Sequence, residues 1–179
     1  MIRARAAQAA TVSVLVLLSG CSWISSPFAS KPAVPCPSAV ILRPLANTAV
    51  FGPAPERRPQ NVAFYGLLSE VDHTCQYTGD AVQVNLDVIV IGQRGPAAKG
   101  NTVDLDYFVA VTGPDRTILS KKPFAVRVTF DPDQIRAGVT DHIEETIPLA
   151  GHQGSDLDIL LGFQQPPDVI DFYKHFRGR

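Results

Sequence analysis

Three cysteines, four histidines and two closely spaced carboxylate pairs are the residues of this 179-residue chain whose types suit chemistry. A metal site needs His, Cys or carboxylate ligands gathered at one place. The histidines, His73, His142, His152 and His175, are scattered. His142 and His152 are the pair that neighbouring strand ends would bring near each other, beside Asp141. Asp104-Leu105-Asp106 and Asp156-Leu157-Asp158 each place two carboxylates on one face of a strand. That spacing reads as a solvated face. His73 and Cys75 share a face for the same reason. A Cys–His nucleophile needs a free thiol and a third, orienting group, and the sequence supplies no such group. Gly151-His152-Gln153-Gly154-Ser155 lacks the serine between glycines of a nucleophile elbow. Gly92-Gln93-Arg94-Gly95 reads as a turn. The expectation is a protein that is not an enzyme and takes no metal or cofactor.

The compartment comes from the first residues. Arg3 and Arg5 precede an apolar run over 9–18, the form of a secretory signal. The run is too short to cross a hydrocarbon core of roughly 30 Å. Leu18-Ser19-Gly20-Cys21 resembles the lipobox of bacterial lipoproteins. That resemblance implies cleavage before Cys21, a diacylglycerol thioether on its sulfur and acylation of the new amine. Each buried methylene adds about 0.8 kcal/mol, and one chain binds only reversibly, so two or three chains make attachment permanent. Ser22, rather than an aspartate, follows Cys21. By the same resemblance this sorts the protein to the periplasmic face of the outer membrane.

With Cys21 given to lipid, Cys36 and Cys75 remain. An even pair in an oxidising compartment implies a disulfide. Charge narrows the partners further. The chain carries 16 Lys+Arg and 17 Asp+Glu; loss of Arg3 and Arg5 moves the net charge from −1 to about −3. That balance opposes nucleic-acid binding, which rests on clustered cations. Residues 21–37 contain Pro27, Pro32, Pro35 and Pro37 among Ser and Ala and read as a semi-rigid tether. Trp23, the single tryptophan, lies with Ile24 and Phe28 beside the anchor, where they can rest on headgroups.

From residue 38 to 165 the apolar residues recur at every second position, the mark of half-buried strands. Val82, Val84, Leu86, Val88 and Val90 form one such series; Val103, Leu105, Tyr107, Val109 and Val111 form another. Residues 38–42, 63–77, 141–149 and 157–163 are further candidates. Thr78-Gly79-Asp80 signals a hairpin. Pro123 puts its strand at an edge or bulge. Asp131-Pro132-Asp133 reads as the start of a short helix ended by Gly138. The tail, 166–179, changes period: Val169, Phe172, Tyr173 and Phe176 fall on one helical face. That stripe must bury itself on the sandwich or on a partner.

Seven or so short strands without intervening helices predict an all-β fold. The expected form is an antiparallel immunoglobulin- or fibronectin-like β-sandwich with a short C-terminal helix. Tyr107-Phe108-Val109-Ala110-Val111-Thr112, Ile147-Pro148-Leu149 and Leu160-Leu161-Gly162-Phe163-Gln164 resemble segments of uncharacterised small proteobacterial lipoproteins. That family brings no activity and no catalytic residues. The expectation is a lipid-anchored module that binds another envelope protein in outer-membrane assembly or maintenance. The alternative is a small-ligand carrier or enzyme whose site is assembled from distant loops.

Overall fold

Strand by strand, alternation becomes burial. The computed structural model describes residues 34–175; Cys21, the lipobox and Phe176 lie outside them. In chain order come β1 (Ser38–Ile41), β2 (Asn47–Phe51), β3 (Val62–Thr78), β4 (Ala81–Arg94), β5 (Thr102–Thr112), β6 (Ile118–Thr129), β7 (Arg136–Pro148), β8 (Asp158–Phe163) and α1 (Pro167–His175). One sheet has the order β1-β8-β5-β6 and the other β2-β3-β4-β7. All pairings are antiparallel except β1 with β8. The fold is an all-β sandwich with a short C-terminal helix, as the period-two pattern predicts.

The inner faces make the core. Val82, Val84, Leu86, Val88 and Val90 of β4 are fully buried. They meet Leu105, Tyr107 and Val109 of β5 and Ile159, Leu161 and Phe163 of β8. The long hairpin of β3 and β4 turns at Gly79, whose φ of 60° suits glycine. A bulge between Leu68 and Glu70 shifts the pairing of β3 with β4 by one residue, so that the inward positions of β3 change from even-numbered to odd-numbered across it. Pro123 sits in β6, an edge strand, where its missing N–H costs no ladder bond.

Two local expectations fail. Residues 131–138 do not form a helix. Asp131 and Gln134 close a tight turn, the Gln134 N–H donating to the Asp131 carbonyl at 3.0 Å. The Gln134 side chain accepts from the Asp131 N–H at 3.0 Å. β7 then starts at Arg136, because β4 offers a pairing edge from Gln93 back to Ala81 and the ladder outweighs one or two turns of isolated helix. Second, β2 lies in a stretch the alternation left unassigned. Its pairing with β3 and burial of Thr48 and Ala49 hold what its short sequence does not signal.

At the end where the N-terminal segment enters, Cys36 and Cys75 form a disulfide with Cα atoms 5.7 Å apart. It joins the residues before β1 in one sheet to β3 in the other. The Tyr77 hydroxyl donates to the Pro35 carbonyl at 2.6 Å beside it. Gly154 makes room for this contact, since a Cβ there would fall 2.0 Å from the Tyr77 oxygen. The bridge spans 39 residues, a loop whose closure is worth about 4 kcal/mol in the chain-entropy model. A Cys36→Ala/Cys75→Ala double variant is expected to lose about that much stability. Urea unfolding followed by near-ultraviolet circular dichroism checks it; an unchanged midpoint refutes the staple.

Candidate functional site

The start of α1 and the loop before β3 meet β2 and β5 at a groove. α1 lies against the β2–β3 surface. Val169 and Phe172 are buried there, and Phe172 clusters with Ala49 and Val62, flanked by Phe51, Tyr65 and Tyr173. The Phe51 and Phe172 rings meet edge to face at 5.1 Å. The stripe read from the sequence is thus turned onto the chain's own sandwich at Val169, Phe172 and Tyr173; Phe176 lies outside the described residues. Burial raises the Tyr65 hydroxyl pKa, and with Tyr65 nearby pushes that of Tyr173 up to about 12.

Arg57 locks the helix start. It projects from the Pro53–Pro59 loop, and its Nε donates to Asp168 Oδ2 at 2.6 Å. Its Nη1 donates to the Ala54 carbonyl at 3.1 Å, and its guanidinium lies 4.8 Å from the centre of the Phe51 ring. Asp168 also accepts from the Val169 N–H at 3.0 Å, a carboxylate at the positive end of the helix dipole. Beside this latch a cavity of about 270 Å³ opens between β2 and the start of β5. Thr48–Phe51 form one wall and Asp104–Asp106 the other; Arg57, Gln164 and Asp168 close its end. Asp104 is held by Arg127 through bonds of 2.7 and 2.9 Å, which lower its pKa. The Gln164 N–H donates to the Asp106 carbonyl at 2.9 Å.

Other predicted residues stand elsewhere. Cys36 and Cys75 are spent in the disulfide, so Cys75 is no nucleophile. His142 Nδ1 lies 2.6 Å from Asp87 Oδ1 on the exposed face of β4 and β7. His152 sits in the loop before β8, near Asp115. No group of three or more His, Cys, Asp or Glu able to hold a metal ion occurs among the described residues. Nor is any described helix long and apolar enough to cross a membrane.

The opposite seam, between β6 and β7, is closed by polar pairs turned inward. The buried Tyr107 hydroxyl donates to Asp141 Oδ2 at 2.7 Å, and burial followed by that bond holds its proton far more tightly than usual. Lys122 Nζ donates to the buried Glu145 at 2.5 Å. Neither Arg57 nor this seam was visible in the pattern of residues. An arginine in a proline-rich loop, or a carboxylate within a strand, carries no sign of its partner. Comparison with protein-family models, curated proteins and solved structures finds no match.

Two outcomes follow from the latch. Asp168 has its pKa lowered, first by the hydrogen bond from Arg57. Its contribution is therefore in place above the ordinary aspartate value of 3.8 and is lost as pH falls through the depressed folded value. The pair is partly exposed and worth at most about 1 kcal/mol. Wild type should accordingly lose slightly more stability than Asp168→Asn on going from pH 6 to pH 2; parallel curves in urea titrations would refute it. Phe172→Ala should cost roughly 3 kcal/mol, and a wild-type melting curve would show that α1 is not packed in solution.

Proposed function

We propose that this protein is a lipid-anchored, non-enzymatic module of the bacterial envelope. It is held on the periplasmic face of the outer membrane by acylated Cys21, and its sandwich binds another envelope protein in outer-membrane assembly or maintenance. The observation that carries the reading is the polarity of the sandwich. The tether enters at Pro35 and Cys36, clamped to Tyr77 and Cys75 near the end of β3. The groove lies on Thr48–Phe51, whose partners run from Gly66 to Val62 at the start of β3. At about 3.3 Å per residue, those positions are roughly 30–50 Å apart along the strand. An anchor at Cys21 therefore pulls on one stapled end and leaves the grooved end free to meet a partner.

The groove also bears on the ligand-carrier alternative. Sites for small molecules are mostly apolar and enclose their ligand, whereas this one is an open trough with carboxylates on its rim. A polypeptide partner suits it better.

Two measurements test the proposal. Cys21→Ala should move the chain from the membrane fraction to the soluble periplasm, and a variant that stays in the membrane fraction refutes the anchor. Affinity purification of the tagged wild-type chain from envelopes, after in-cell cross-linking, should recover one envelope protein stoichiometrically. Recovery of none refutes the partner reading.

A further inference from the structure

β2 covers only the first part of its neighbour. It pairs with residues 62–67 of β3, and the Leu68 N–H adds one bond to the Ala46 carbonyl. The strand before that point, β1, belongs to the other sheet. Over residues 70–78 no strand pairs with that flank of β3, and an unguarded edge invites another strand. The remaining edges are guarded. β6 carries Lys121, Lys122 and Pro123. β7 turns Asp141 and Glu145 inward to Tyr107 and Lys122. β1 has only four residues. β2 is capped by the Gln165 side chain at Asn47 and covered by Phe172 at Ala49.

The bare flank presents main-chain groups. The Arg94 N–H donates to the Ile135 carbonyl at 2.8 Å, so even-numbered residues of β4 address β7 and odd-numbered ones address β3. Beyond the bulge, those odd-numbered residues stand opposite Glu70, Asp72, Thr74 and Gln76. The main chains of Val71, His73, Cys75 and Tyr77 therefore point away from β4. No residue in 69–78 is buried. The Cys75 side chain turns inward onto the core, so its bridge to Cys36 passes beneath this edge and not across it.

Charge names the occupant. On the outer face Glu70 and Asp72 place carboxylates at one end of the segment, and Thr74, Gln76 and Thr78 leave the other end uncharged. Such a strand complements its own reverse. About a two-fold axis at Thr74, Asp72 meets the partner's Gln76, Glu70 meets the partner's Thr78, and the two threonines face each other, a favourable cross-strand pair. Val71 then exchanges main-chain bonds with the partner's Tyr77, and His73 with the partner's Cys75. An axis at Asp72 or Val71 sets carboxylate against carboxylate, and an axis at His73 or Cys75 leaves rungs unmade.

We propose that the protein forms a symmetric dimer by antiparallel pairing of residues 70–78 with the same segment of a second copy. The dimer goes beyond the partner-binding reading above and stands without it. The two Pro35 entries, each bonded to its own Tyr77, then lie about 20 Å apart along the strands, and the grooved ends point away from each other.

The test is sedimentation equilibrium of the full chain in mild detergent, with micelles in large excess over chains so that anchors alone do not bring two together. Wild type should be a dimer. His73→Pro removes an outward N–H that β4 does not use and should give a monomer whose near-ultraviolet spectrum is that of wild type. Gln76→Glu sets a second carboxylate against each Asp72 and should weaken the dimer about tenfold. Adding Asp72→Lys to it should restore the dimer, which a mere loss of fold would not allow. In cells, Thr74→Cys should trap a disulfide-linked dimer, because facing Cα atoms in that pair are about 4.5 Å apart, whereas Thr146→Cys on β7 should not. A monomeric wild type, a dimer that survives His73→Pro, or no rescue by Asp72→Lys overturns the proposal. So does a monomer in which His73→Pro ends recovery of the envelope protein, which gives the edge to that protein. A dimeric wild type that recovers no envelope protein refutes the partner reading alone.

Discussion

The apolar layer between the two sheets is the constraint to which the other features answer. Leu86, Val88 and Val90 of β4 face Leu105, Tyr107 and Val109 of β5 across it, and the layer persists only if both sheets keep their register. A slip of one residue would turn every one of these side chains to water. The long β3–β4 and β4–β7 ladders prevent the slip by pairing over nearly their whole length. That pairing also explains why residues 136–140 are strand. Ala137 and Val139 continue an inward series with Ile143 and Ile147 that a helix would break.

Two sheets pressed together leave two seams, and the protein closes them by different physics. Along β6 and β7 it uses paired polar groups. Tyr107 meets Asp141 and Lys122 meets Glu145, so the buried oxygens are satisfied and no bare edge remains. On the β1 and β2 side two neighbouring strands of one sheet, β8 and β5, differ in length. β8 ends at Phe163 while β5 reaches back to Thr102. The gap is filled in part by α1, which brings Val169 and Phe172 to the β2 side and is held by Arg57. What α1 does not fill is the groove. Helix and groove are thus two consequences of one mismatch in strand length.

The disulfide addresses a different weakness. β1 is short and pairs only with β8, so the segment entering it would fray easily. Cys36 is tied to Cys75 in the opposite sheet, and Pro35 to Tyr77. Any load on the N-terminal segment is therefore borne by the longest strand of the molecule.

The sequence by itself determined the fold class, most strand positions, the disulfide partners and the apolar face of the last helix. Each is a local or countable property: a period of two, a period of 3.6, a pair of cysteines downstream of Cys21. The partners of Arg57, Asp141 and Glu145, the existence of β2 and the groove came only from the tertiary structure. A short strand such as Asn47–Phe51 has too few residues to show a period. A salt bridge such as Arg57–Asp168 joins residues 111 positions apart, and nothing in either residue's neighbourhood names the other. The false helix at 131–138 has the same cause: Asp-Pro is a good helix start locally, and the β4 edge that overrode it lies some 40 residues away in the chain. Local periodicity decides which face is apolar, whereas chain distance hides which faces meet.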